Sequence, residues 1–251
     1  MSYADIDKPS DYFNTVLYTG NAGTLNVTGV GFSPSLVWIK GRGYADSQVL
    51  TDTVRGTTKC LSTDSTTAEF TQTNGLTAFG GDGFTVGNWS AINRASTTVA
   101  WNWKAGTSVS GNTTGSGTAK AYSGSVSTDA GFSIIGYVGN GTANHTLPHH
   151  LGVVPKMLII KNRTSSGYEW SIYHHTLGNQ KRMFLNDTSA VGSSNAYWNN
   201  TSPTSSVINL GGGGAVNENN SNMIAYCFAE KQGYSKFASY IGNGDSDGTF
   251  V

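Results

Sequence analysis

The chain repeats itself, and whatever one copy folds into the other must fold into too. The stretch YTGNAGTLNVTGVGFSPSLVWIKGR (18–42) sets against YVGNGTANHTLPHHLGVVPKMLIIKNR (137–163). Both open on Tyr-x-Gly-Asn. Both reach Gly-x-x-Pro, at Gly31 to Pro34 and Gly152 to Pro155. Both close an apolar run with Lys-x-Arg: Lys40 and Arg42, Lys161 and Arg163. Downstream, VRGTTKCL (54–61) matches LGNQKRMF (177–184), and FTVGNWSAIN (84–93) matches INLGGGGAVN (208–217). TVAWNWKAG (98–106) matches MIAYCFAEKQG (223–233). A third copy begins at YSKFASYIGNG (234–244), which echoes AGFSIIGYVGNG (130–141).

This periodicity divides the chain into an N-terminal arm (1–11), repeat one (12–106), a linker (107–128), repeat two (129–233) and a last segment (234–251). That last segment either starts a third repeat or supplies a terminal strand to the second. The linker is rich in Gly, Ser and Thr and reads as a flexible joint, with a short edge strand at its end, from Ala121 to Val126. Each repeat is long enough for roughly seven to nine strands at ~8–12 residues per strand and turn. The expected fold is all-β: two tandem antiparallel β-sandwich domains of jelly-roll or lectin-like type. The continuous apolar runs Leu36 to Lys40 and Met157 to Lys161 suit strands covered on both faces. Val99, Trp101 and Trp103 share one strand face, opposite Ala100 and Asn102. In repeat two, Ile224, Tyr226 and Phe228 form the larger face. Ala225, Cys227 and Ala229 form a small-residue face that admits a close second layer.

Composition narrows the function. Charged residues make up 12% of the 251, and net charge is zero, against a usual charged share of ~25%. Nucleic acid is not an expected partner, because phosphate binding needs clustered Lys and Arg. No apolar run is long enough to insert in a membrane. The start, SYADIDKPSD, has neither a basic nor an apolar region, so no signal peptide is expected. Cys60 and Cys227, the only cysteines, read as two partly buried free thiols.

Three histidines, His145, His149 and His150, fall within six positions, a pattern that raises the question of a metal. Repeat one has the same skeleton without them: Gly29 stands opposite His150 and Thr28 opposite His149. A unit that folds without histidine in one copy needs no metal in the other. His149 and His174 remain as weak candidates, each a member of a pair that cross-strand pairing could bring together. No cofactor is expected. The carboxylates are scattered beside Gly, Asn and Thr, as turn residues are. No nucleophile elbow or P-loop occurs, so no catalytic residue is assigned. GDSDG (244–248) lacks the distal Glu of a calcium loop and reads as a turn. Trp89, Trp198 and Tyr168 lie in Asn- and Ser-rich loops, where an aromatic face can stack on a sugar. They are the candidate carbohydrate-binding residues.

Taken together, KPSDYFNTVLYTGN, GFSPSLVWIKGR, DTVRGTTKCL, DGFTVG, VAWNWKAG, HLGVVPKMLIIKNR and YCFAEKQGYSKFASYIGNG resemble a repeated β-rich domain. It occurs in otherwise uncharacterised proteins encoded by marine tailed phages. The resemblance runs from Lys8 onward. Cys60, where a larger aromatic is frequent, and His150, where Gly is usual, depart from it. It implies a non-enzymatic virion structural protein of tail-fibre, capsid-fibre or decoration type, located in the virion. Its partners would be itself, as a homo-oligomer, other virion proteins and host surface glycan. A carbohydrate-binding receptor module and a polysaccharide depolymerase are the competing expectations. The depolymerase requires two carboxyl groups facing one cleft.

Overall fold

The computed structural model describes residues 4–248. The first three residues of the arm and the last three of the 234–251 segment lie outside the described residues. The first half carries β1 (Phe13–Thr19), β2 (Leu25–Val27), β3 (Leu36–Gly41), β4 (Val49–Asp52), β5 (Lys59–Ser62), β6 (Phe70–Thr71), β7 (Leu76–Gly80), β8 (Gly83–Val86), the short helix α1 (Ser90–Asn93) and β9 (Thr97–Trp103). The second half carries β10 (Thr107–Asn112), β11 (Thr114–Gly115), β12 (Ala121–Ser127), β13 (Phe132–Val138), β14 (His145–Pro148), β15 (Met157–Asn162), β16 (Ser171–His174), β17 (Lys181–Phe184), β18 (Gly192–Ser193), α2 (Asn195–Trp198), β19 (Val207–Leu210), α3 (Gly214–Asn217) and β20 (Asn222–Phe228).

Among the described residues the strands form four sheets, and the fold is all-β. The first half has a large sheet, β1-β9-β3-β4-β5-β6, and a small one, β2-β8-β7. In the second half the corresponding places are taken by β13-β20-β15-β16-β17-β18 and by β14-β19. There β10 and β12 extend the large sheet and β11 the small one.

Alternation along the strands decides how the sheets stack. In β3, Val37 and Ile39 join Ala100, Phe84 and Val86 in a core between the large and small sheets of the first half. In the second half Leu158, Ile160, Ala225 and Cys227 meet Leu147, Ile208 and Leu210. The small-residue face of β20 therefore does lie against a close second layer. The opposite faces of the two large sheets meet each other. Leu36, Leu50 and Leu61 share a central core with Phe132, Ile134, Ile159, Ile172, Ile224 and Tyr226, and Trp38 and Trp103 pack against it. The described residues thus form four layers around three cores. Burying the aliphatic side chains of the central core contributes on the order of 10 kcal/mol, enough to hold the halves as one block.

Residues 107–128 are not a flexible linker. β10 pairs with β12 from Thr107↔Val126 to Asn112↔Ala121, and β12 pairs in turn with β13. So β12 is interior and β10 is the edge, the reverse of the expected placement. The composition misleads because most of these side chains are exposed. Tyr122 and Val126 suffice to anchor the hairpin in the second-half core. The arm is also docked: Ile6 is buried, and Asp5 N donates to Gln232 O at 3.0 Å. A terminal strand completing repeat two is not formed by the described part of 234–251, in which the residues from Ala238 to Gly248 are all exposed and none is strand.

Candidate functional site

The Tyr-x-Gly-Asn motif is a latch on a short helix, built twice. Tyr18 Oη donates to Ile92 O at 2.6 Å, and Tyr137 Oη to Val216 O at 2.5 Å. Burial pushes both phenols well above their ordinary pKa, so each stays a neutral donor. The helix answers with its last residue. Asn93 Nδ2 donates to Gly23 O (2.6 Å) and Gly87 O (2.7 Å), and its Oδ1 accepts from Asn21 N (2.8 Å). Asn217 does the same with Thr142 O (3.0 Å), Gly211 O (3.1 Å) and Asn140 N (2.9 Å). Both asparagines are fully buried, so these bonds satisfy amides that water cannot reach. The glycine of the motif clears the residue after the helix. A Cβ on Gly20 would lie 2.0 Å from Arg94 O, and one on Gly139 would lie 2.2 Å from Glu218 O.

A second cluster joins the halves. The Arg55 guanidinium meets Asp52 Oδ2 at 2.6 Å and Glu69 Oε2 at 3.2 Å. Arg163, from the other half, grips Glu69 with two bonds of 2.9 Å. Tyr226 Oη donates to Asp52 Oδ2 at 2.6 Å. The side chains of Arg55 and Asp52 are fully buried. Burial works to raise the Glu69 pKa, but hydrogen bonds and charge from Arg163 and Arg55 outweigh it and hold Glu69 below the usual carboxylate range. A carboxylate so held has no proton to give as a general acid. Nearby, Trp170 Nε1 donates to Ser62 O at 2.9 Å. Lys161 Nζ, fully buried, donates to Thr66 O at 3.1 Å and to Tyr168 O at 2.5 Å. Burial lowers the Lys161 pKa to about 8.

A cavity of about 270 Å³ opens at one end of the central core, among Trp38, Trp103, Phe132, Trp170, Phe228 and Phe237. Two of its indole donors are engaged by the surrounding protein: Trp38 Nε1 donates to Thr63 Oγ1 at 3.0 Å, and Trp170 Nε1 to Ser62 O. The wall offers apolar contact and little to pair with the hydroxyls of a sugar.

The candidate sugar residues are not brought together. Trp198 is 1% exposed, donates Nε1 to Lys181 O at 2.9 Å and packs edge-on to Tyr173. It is a core residue and has no face for a sugar, because α2 turns the ring inward. Trp89 is half-buried against the first-half core, edge-on to Phe70 at 5.9 Å. Tyr168 Oη donates to Glu218 Oε1 at 3.1 Å. Glu218 also accepts from Ser165 Oγ and Ser221 Oγ, both at 2.6 Å, and from Asn162 Nδ2 at 2.8 Å. These donors lower its pKa to about 2.

The histidines each have their own task. His149 is fully buried, with Nε2 3.1 Å from Thr204 O and Nδ1 accepting from Leu151 N. Burial lowers its pKa. His174 Nδ1 bonds Thr176 Oγ1 at 2.8 Å. His149 follows β14 in a small sheet, and His174 ends β16 in a large one, so the two weak metal candidates do not meet. His145 Nδ1 lies 2.9 Å from Ser116 O. His150 adopts φ +60 where Gly29 has φ +85, and its Nε2 bonds Tyr122 Oη at 2.9 Å. Among the described residues no group of three His, Cys, Asp or Glu could hold a metal ion. The GDSDG segment is a turn, with Gly248 N donating to Asp245 O at 3.3 Å.

Two features escaped the sequence reading. Asn93 and Asn217 align in the repeat, and that shared Asn was the available signal. Arg55 aligns with Leu177 but Arg163 aligns with Arg42, so the joint pairs a residue that the copies share with one that they do not.

A family described as a domain of unknown function, DUF7483, matches residues 8–251. The chain belongs to DUF7483. The DUF7483 match spans both halves, both latches and the last segment. No curated protein and no solved structure matches the chain. Among the described residues no helix is long and apolar enough to cross a membrane.

Proposed function

We propose that this chain is a non-enzymatic structural protein of a phage virion, of tail-fibre, capsid-fibre or decoration type, acting as an assembly or adhesion module. The observation that carries the reading is the joint. Asp52, Arg55, Glu69, Arg163 and Tyr226 bind one another across the two halves and make two sandwiches into one stiff block. An appendage that transmits force needs that stiffness. Its self-association would use exposed sheet edges such as β1 and β10. The test is to purify and wash particles of a phage that encodes the chain and to quantify its peptides. Several copies per particle are expected. A chain found in the infected lysate and absent from washed particles overturns the proposal.

A further inference from the structure

We propose that Tyr240, Gly242 and Asn243 are a third latch, shaped to close on the short helix of a further unit of this same fold. The sequence Tyr240-Ile241-Gly242-Asn243 repeats Tyr18-Thr19-Gly20-Asn21 and Tyr137-Val138-Gly139-Asn140. In both earlier copies each position has a fixed task. The tyrosine hydroxyl binds a carbonyl inside the helix. The glycine clears the backbone that follows the helix. The asparagine N–H binds the side chain of the helix-terminal Asn. The residues before the motif then pair with the strand after that helix, β1 with β9 and β13 with β20.

The third copy has the same parts without the same burial. The chain is anchored as far as Phe237, whose N donates to Glu230 Oε1 at 3.0 Å and whose O lies 2.9 Å from His175 Nε2. Beyond it, Tyr240 is 67% exposed, whereas Tyr137 is 2% exposed. Both latch helices are already taken, α1 by Tyr18 and Asn21 and α3 by Tyr137 and Asn140. A second copy of the chain has its two helices taken in the same way and so does not fit. The occupant must bring its own: a short helix reading Ala-x-Asn, as in Ala91-Ile92-Asn93 and Ala215-Val216-Asn217, followed by an antiparallel strand.

This inference goes beyond the virion proposal, since it concerns what joins units and not where the protein sits. The test extends the full chain by a duplicate of residues 149–233 placed after Val251. A second fusion uses residues 28–106, so that one misfolded partner does not decide the matter. Amide exchange at 238–243 is expected to slow at least about 100-fold relative to the unextended chain, and the added segment is expected to resist protease. Gly242→Val should abolish both effects. Unchanged exchange in both fusions overturns the inference, and so does protection that survives Gly242→Val. An unextended chain whose dimer is lost with Gly242→Val also overturns it, because the occupant would then be a second copy. None of these outcomes depends on particle location, so this inference and the virion proposal fail separately.

Discussion

His150 shows how one copy of a repeat absorbs a side chain the other lacks. Its left-handed backbone suits glycine, and histidine is among the residues that tolerate it. The bond to Tyr122 offsets part of the cost. His150→Ala is expected to destabilise by about 1 kcal/mol through loss of that bond. His150→Gly loses the same bond but relieves roughly 1 kcal/mol of backbone strain, so it should fall close to the parent in urea unfolding. Glu218 makes a prediction in pH. Its carboxyl titrates at about 2 in the folded chain, against 4.5 unperturbed. The stability it contributes is therefore complete above about 4.5 and is lost as pH falls through about 2. Glu218→Gln should flatten unfolding free energy across that window, and a variant as acid-sensitive as the parent would contradict the assignment. At this scale the sequence was only partly legible. The alignment of His150 with Gly29 anticipated its backbone. Nothing around Trp198 announced its burial, because a single turn of helix set among Asn and Ser hides which way the ring points.

At the scale of elements, the latch explains why both copies keep Tyr-x-Gly-Asn. Two glycines, one in the latch and one in the Gly-x-x-Pro turn, separate close approach from backbone strain. Gly139→Ala drives a Cβ to 2.2 Å from Glu218 O, a backbone atom that cannot step aside, and should cost at least about 3 kcal/mol. Gly152→Ala meets nothing within 4 Å and carries only the strain of its φ of +72, roughly 1 kcal/mol. Chemical denaturation of the two variants side by side checks the ordering. The alternation of β9 and β20 was readable, since Trp103 and Ala100, or Tyr226 and Cys227, differ enough in size to assign faces. The β10–β12 hairpin was not. Its pairing is set by backbone register and by Tyr122 and Val126, while its Ser, Thr and Gly content is shared with true linkers.

For the whole molecule, the shared central core predicts one cooperative unfolding transition instead of two. Calorimetry on the full chain should give a single peak, and two resolved peaks would contradict the four-layer block. Arg55→Met leaves Asp52 and Glu69 without their common cation in a buried place. It should destabilise by about 3–5 kcal/mol. The face-to-face stacking of the large sheets was not legible in the repeat, because a repeat specifies what each copy is and not how copies meet. Places where the copies differ, such as Arg55 against Leu177, carried part of that information. The two thiols take on a use from this arrangement. Cys60 lies in the first-half core and Cys227 in the second-half core, each fully buried, and burial pushes the Cys227 pKa up to about 12. Neither reacts until its own sandwich opens. The chain therefore carries one native reporter per sandwich. Timed alkylation read by mass spectrometry can tell which half breathes first without any introduced label.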